Sequence, residues 1–335
     1  MEETDGVRLH VVTGKGGTGK TTVALALGLA LARGGRRVLV LEVEGRDGLA
    51  APLGRSPLGY DPVRVLDAPG GGEVHAAAVD PEESLLEYLE MFYRVGRSGL
   101  TARTLRAVGA LDFATSVAPG MSDVLLTGKL KDVVDRTGER GRPVWDAVVC
   151  DAPPTGRVTR FLDVNSHVSL LARMGPVRSQ ADSVMRVIRS SRTAVHVVTL
   201  LEQLPVQETA EALEDVRAHR LRTGLLVVNR VRPPLLHDDA LTAGAAGGVD
   251  RAALADGLVE AGLDRGLADP LGRGADEHAR RVAREQVLRA RLEGLGPAVV
   301  DLPLLAGAPD VDGGLARLAD LLVEQGVVPT TRVPA

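Results

Sequence analysis

Thr13-Gly14-Lys15-Gly16-Gly17-Thr18-Gly19-Lys20-Thr21-Thr22-Val23 decides the reading of this chain. Gly14 to Thr21 fits the phosphate-loop pattern G-x-x-x-x-G-K-[ST], and its surroundings are those the pattern needs. Val7 to Val12, before it, reads as a buried strand; Val23 to Arg33, after it, reads as a helix stopped by Gly34-Gly35. Glycines let the backbone curl so that successive N–H groups and a helix N-terminus face one anion. Gly14, Gly16, Gly17, Thr18, Gly19 and Thr22 are therefore expected to line a nucleoside-phosphate site. Lys20 is expected to reach the β- and γ-phosphates and the Thr21 hydroxyl to hold Mg²⁺.

Lys15 is a second lysine in the loop, and the pattern does not require it. A site-lining ammonium without an anion is costly, so its place among glycines asks for a phosphate partner. The chain has four lysines against 36 arginines, and two of the four stand here, so lysine serves as a compact point charge. Lys-Gly-Gly-Thr-Gly-Lys-Thr resembles the deviant Walker A loop of the class containing the arsenite-pump ATPase ArsA, the Get-pathway ATPase that targets tail-anchored membrane proteins, and the partition and septum-positioning ATPases. Asp151-Ala152-Pro153-Pro154-Thr155-Gly156-Arg157 resembles the D-T-A-P-T-G-H segment of the ArsA/Get branch, and Val227-Val228-Asn229-Arg230 resembles its V-V-N-Q.

This resemblance implies a doubly wound, mainly parallel α/β P-loop ATPase with helical insertions that uses ATP and Mg²⁺. It also implies a homodimer, or a heterodimer with a diverged paralogue, in which Lys15 crosses to the other subunit's nucleotide. Hydrolysis to ADP and phosphate would then be slow without a partner. Two other classes remain: a nucleotide-binding scaffold with little turnover, and a partition- or positioning-type ATPase acting on DNA or membrane.

Composition bounds these readings. The 335 residues, 44% hydrophobic and 25% charged, suit a soluble globular chain. A net charge of −4 gives no general drive toward nucleic acid or anionic membrane, and 2% aromatics weigh against stacking platforms for single strands. The one cysteine, Cys150, lies in an apolar run and is expected to be inert core. The acidic N-terminus is unlike a signal peptide, and the longest apolar run, Val23 to Ala32, is too short to span a bilayer, so a cytoplasmic protein is expected.

Along the chain, Arg37 to Val43 reads as a second strand. Ligands of parallel sheets gather at the carboxyl ends of strands. The resembling branch places its water-activating aspartate at this strand end, in D-P-A-H-N, and Glu44 occupies that position here. Its extra methylene displaces the carboxylate, so a weakened or regulatory role is the alternative. Pro52 to Gly72 reads as an irregular excursion and Glu73 to Val79 as a strand. Asp80-Pro81-Glu82-Glu83 then starts a helix, with Asp80 as N-cap. Residues 81–142 read as a helical insertion whose Arg94, Arg97, Arg103 and Arg106 form a solvated face or a partner surface. Ala118-Pro119-Gly120 resembles a family turn joining these helices to the nucleotide site.

Trp145 to Asp151 is an apolar strand of Walker B form, expected to hold a Mg²⁺-bound water through Asp151. Pro154, Thr155 and Gly156 are expected to sense the γ-phosphate; Arg157 stands where the branch has histidine. Thr193 to Leu201 and Leu225 to Asn229 read as strands. Asn229, with Arg230, is expected at the adenine edge, or Asn229 caps a turn. Residues 236–296 read as a second mostly helical segment. Ala298 to Leu305 reads as a last strand whose Pro303 and Leu304 cover the base, Leu315 to Gln325 as a closing helix, and 329–335 as a loose tail. The whole, 1–335, reads as one ATPase domain. The client is expected to be a protein or a membrane-associated species. A methionine-rich groove is disfavoured because Met174 and Met185 are the only methionines between Walker B and the next strand. The arsenite site and a zinc site fail for want of cysteines.

Overall fold

The computed structural model describes residues 6–45, 48–81, 83–87, 121–163, 176–305 and 313–328. Its framework is one eight-stranded sheet: β1 (Leu9–Gly14), β2 (Arg37–Glu42), β3 (Val63–Ala68), β4 (Gly72–Ala78), β5 (Ala147–Asp151), β6 (Thr193–Thr199), β7 (Thr223–Val231) and β8 (Val299–Pro303). They lie in the order β3-β4-β2-β5-β1-β6-β7-β8, all parallel except β3, which runs antiparallel to β4. The chain builds one half outward from β1, then returns past it to β6. That reversal makes a switch point at the carboxyl end of β1, where open α/β sheets bind ligands.

The sheet is covered on both faces because its central strands are apolar at successive positions. Side chains alternate across a strand, and the two sets enter different cores. Val38, Val40, Val149 and Val227 pack with one core, whereas Leu39, Leu41, Cys150 and Val148 pack with the opposite one. The first is covered by α1 (Lys20–Ala32) and α9 (Gly314–Glu324), the second by α2 (Met121–Asp135), α3 (Thr155–Leu162) and α4 (Pro176–Ile188). Every residue of α1 from Val23 to Ala32 is buried, as expected of a helix apolar all round: it lies on the sheet and beneath Leu315, Leu318 and Leu322 of α9. Gly28 permits the close approach, since a Cβ there would stand 2.7 Å from Val40 Cγ2.

The stretch 52–72, expected to be irregular, contains β3, an edge strand with exposed Arg64 and Asp67. Its outward charges suit an unpaired edge. The 236–296 segment is mostly helical: α6 (Asp238–Ala245), α7 (Arg251–Glu260) and α8 (Ala268–Glu293), separated where Gly247 and Gly262 take left-handed backbone. α5 (Gln203–Ala218) follows β6 and shares a core with β7 and Leu292 of α8. After β4, the Asp80 carboxylate accepts the Glu83 amide, making it the cap expected there. The arginines from Arg94 to Arg106, the Ala118-Pro119-Gly120 turn, Met174 and the 329–335 tail lie outside the described residues. Among the described residues no helix is long and apolar enough to cross a membrane.

Candidate nucleotide site

The loop between β1 and α1 stands at the switch point. Gly17 and Gly19 have φ of +85° and +92°, values that side chains resist, and Gly19 directly precedes the first turn of α1. The loop is held from three sides. Thr18 is buried and gives its hydroxyl and its amide to the Lys15 carbonyl, at 2.8 and 3.3 Å. Thr13 donates to the Pro153 carbonyl at 2.6 Å, tying β1 to the Pro153-Pro154-Thr155 turn that opens α3. Asn229 donates to the Thr18 carbonyl at 2.8 Å, and its own oxygen accepts the Arg230 amide at 2.9 Å. Asn229 thus ties the loop to the irregular end of β7, where the register shifts and Arg230 adopts φ of +57°, and it packs against Gly19, where any Cβ would collide with its amide nitrogen.

Asp151 closes β5. Its Oδ2 accepts the Thr21 hydroxyl at 2.6 Å, while its Oδ1 is buried with no hydrogen-bond partner among the described residues. Burial raises its pKa to about 6; Thr21 and Lys20 oppose the rise, and Glu42 and Glu44 add to it. A divalent cation against the free oxygen would remove that strain. One carboxylate and one hydroxyl, with room for waters and phosphate oxygens, suit Mg²⁺, so the residues present fit the metal.

At the end of β2 the structure separates two acids. Glu42 is buried, its carboxylate accepting the Gly48 and Leu49 amides at 2.8 and 3.3 Å, so it braces the turn after the strand. Glu44 lies two residues on, outside the strand, and pairs with Arg157 of α3 at 2.8 Å. The histidine-substituted position of the Walker B segment therefore faces the acid at the strand end of β2. Lys15 pairs with Glu208 of α5 at 2.6 Å.

On the far side of Asn229 is a cavity of ≈ 520 Å³, large enough for a nucleoside. Its walls include Asn229 and Arg230, Glu202 and Gln203 at the start of α5, Leu304 after β8, and Arg281 and Arg284 of α8. Pro303 ends β8, and the Leu304 amide bonds the Val231 carbonyl at 2.9 Å. Of the residues singled out in the sequence, the structure brings Asp151 and Asn229 against the loop and sets Leu304 on the cavity wall with Asn229. Glu208, Glu42 and the α8 arginines were not singled out, because each meets the loop, the strand end or the cavity only through tertiary packing. The apolar spacing of α5 signals a helix against the sheet but not which of its acids faces the loop. Cys150 is buried core, its thiol pKa pushed far up by burial.

A strand–loop–helix phosphate cradle at the switch point of a mainly parallel sheet defines an α/β P-loop NTPase. The family model described as anion-transporting ATPase matches residues 7–191. The chain is 47% identical over 324 residues to ATPase BagA of Mycobacterium tuberculosis, covering 96% of this chain and 94% of that one. It is 25% identical over 255 residues to ATPase GET3 of Kluyveromyces lactis, covering 66% and 71%. The chain belongs to the anion-transporting ATPase family and is an ATP hydrolase.

Proposed function

We propose that the chain is a Mg·ATP-dependent switch in the cytoplasm, one ATPase domain over 1–335 with helical elaborations at 81–142 and 236–296. It closes face to face with a second copy or a diverged paralogue, and closure is coupled to a protein or membrane-associated client. The observation that carries this reading is the Thr21–Asp151 contact at 2.6 Å beneath the loop, with one carboxylate oxygen left for a metal.

In this reading the amides of Gly14, Gly16, Gly17, Thr18, Gly19 and Thr22 cradle the phosphates, and Lys20 balances the β- and γ-oxygens. Thr21 would hold the metal directly and Asp151 would hold it through water. Mg²⁺, when bound, supplies positive charge to the phosphate oxygens that gain charge in phosphoryl transfer. Glu44 orients the attacking water. Pro154, Thr155 and Gly156 register the γ-phosphate, and the Thr13–Pro153 bond links the loop to α3. Asn229, Arg230, Pro303 and Leu304 border the nucleoside. Lys15 completes the partner's site; a cation supplied in trans is worth roughly 10³–10⁵ in rate, so an isolated subunit turns over little.

The test is steady-state hydrolysis together with sizing in the presence of a non-hydrolysable ATP analogue. Wild-type turnover by Lys15→Arg or Lys20→Ala, or a wild-type protein that stays monomeric with analogue bound, refutes the switch. One observation favours a second reading, a scaffold with little turnover: Glu44 is already engaged by Arg157 at 2.8 Å. Tight ATP binding with no phosphate release in a single turnover, at protein concentrations that give the dimer, would select it.

A further inference from the structure

Lys15 and Glu208 stand 193 residues apart in sequence and meet at 2.6 Å. The Lys15 main chain is fixed by the two Thr18 bonds to its carbonyl, so the direction of its side chain is set by what the ammonium meets. In this structure that is the Glu208 carboxylate. The pair is neither sealed nor free: the side chains are 35% and 29% exposed, so it forms a definite contact that another anion can reach. Glu208 rides on α5, whose first residue, Gln203, walls the nucleoside-sized cavity. One helix therefore touches both the ammonium and that cavity.

One ammonium cannot fully neutralise a carboxylate and a triphosphate at once, so the two anions compete for it. We propose that Glu208 is a positioning residue for Lys15: it is the resident anion in the nucleotide-free subunit, and the triphosphate bound by a second copy of the chain replaces it. This rests on the reading that Lys15 serves the partner's nucleotide. Glu208 keeps the ammonium extended over the loop rather than adrift in solvent, and the exchange of anions sets how much analogue is needed to close the dimer. An exposed pair of this kind alters such an equilibrium by about fivefold.

The experiment is sedimentation velocity of the full chain with Mg²⁺ and a non-hydrolysable ATP analogue, titrated for wild type, Glu208→Gln, Glu208→Ala and Glu208→Asp. The analogue concentration giving half dimer falls about fivefold in the Gln and Ala variants and stays near wild type in Asp, which keeps the carboxylate. Combined with Lys15→Ala, Glu208→Gln has no further effect. An unchanged or raised midpoint in both Gln and Ala variants, or a fall that persists without Lys15, overturns the assignment of Glu208. Separately, Lys15→Ala dimerising and turning over like wild type overturns the reading of Lys15 itself, whatever Glu208 does.

Discussion

Thr21 and Asp151, 130 residues apart in sequence, share a 2.6 Å hydrogen bond that leaves the second oxygen of Asp151 buried without a partner among the described residues. The ionised carboxylate is thus held where folding disfavours it.

Asp151→Asn should therefore stabilise the nucleotide-free protein while abolishing Mg²⁺-dependent hydrolysis. The folded pKa is about 6 against 3.8, so ionisation is penalised in the folded state. The penalty is absent below pH ~4, grows as pH rises to about 6, and reaches about 3 kcal/mol above that. Denaturant melts at pH 7.5 and pH 4 measure it. A variant no more stable than wild type at pH 7.5 would contradict the account.

Buried histidines act in the opposite direction. His10 of β1 and His196 of β6 stack with Nδ1 and Nε2 3.1 Å apart, and the Leu225 amide donates to His196 Nδ1. Both pKa values are lowered, chiefly by burial, that of His10 to about 4. The unfolded imidazole takes its proton near pH 6.5 and the folded one does not, so stability is full above pH 6.5 and lost as pH falls toward 4. For His10 alone this is about 3 kcal/mol. Because Asp151 changes in the opposite sense over much of this range while His196 adds to the loss, the wild-type profile does not isolate His10. The informative quantity is the difference between wild type and His10→Leu, which should shift in the variant's favour by about 3 kcal/mol between pH 7.5 and 4. A difference that does not move with pH would exclude it.

For Glu44, replacement by Gln should lower kcat about 100-fold with little change in KM. Stability should hardly change, since its pair with Arg157 lies at the surface, the guanidinium side chain being 64% exposed. Turnover at the wild-type rate would transfer the water-orienting role to another group.

Asn229→Ala should weaken ATP binding about tenfold and cost about 1–2 kcal/mol of stability. It removes the bond to the Thr18 carbonyl and strips the Arg230 amide of its acceptor. Arg230→Gly should stabilise the chain by about 0.5–1 kcal/mol, because φ of +57° is native to glycine and strained for arginine. Isothermal titration and urea melts test both. Unaltered nucleotide affinity in Asn229→Ala would remove the clamp from the site's design.

What was legible in the chain, and what was not, follows from the range of the interactions. The loop could be read because strand, glycines and helix are contiguous, and Asp151 because an apolar strand ends in an acid. Both identify themselves within about ten residues. β3 was hidden because an edge strand with Arg64 and Asp67 facing out lacks the continuous apolarity of its buried neighbours. The helical character of 236–296 was legible from its pattern, whereas its division at Gly247 and Gly262 was not, because glycines are tolerated within helical patterns. Glu208 had no local mark at all. Its significance comes from the sheet bringing α5 beside a loop formed almost 200 residues earlier. The role of Glu42 was hidden for another reason: only the structure shows that its carboxylate is spent on the backbone amides of Gly48 and Leu49.

The placement of α1 beneath α9 has a consequence for biosynthesis. α1 ends at Ala32 and α9 begins at Gly314, so the helix is synthesised well before the segment that covers its outer apolar face. At translation rates of about 5–20 residues per second, that face waits on the order of 15–60 s for its cover. Nascent chains stalled before α9 should therefore be the most sticky species this polypeptide produces, and the ones most in need of a chaperone.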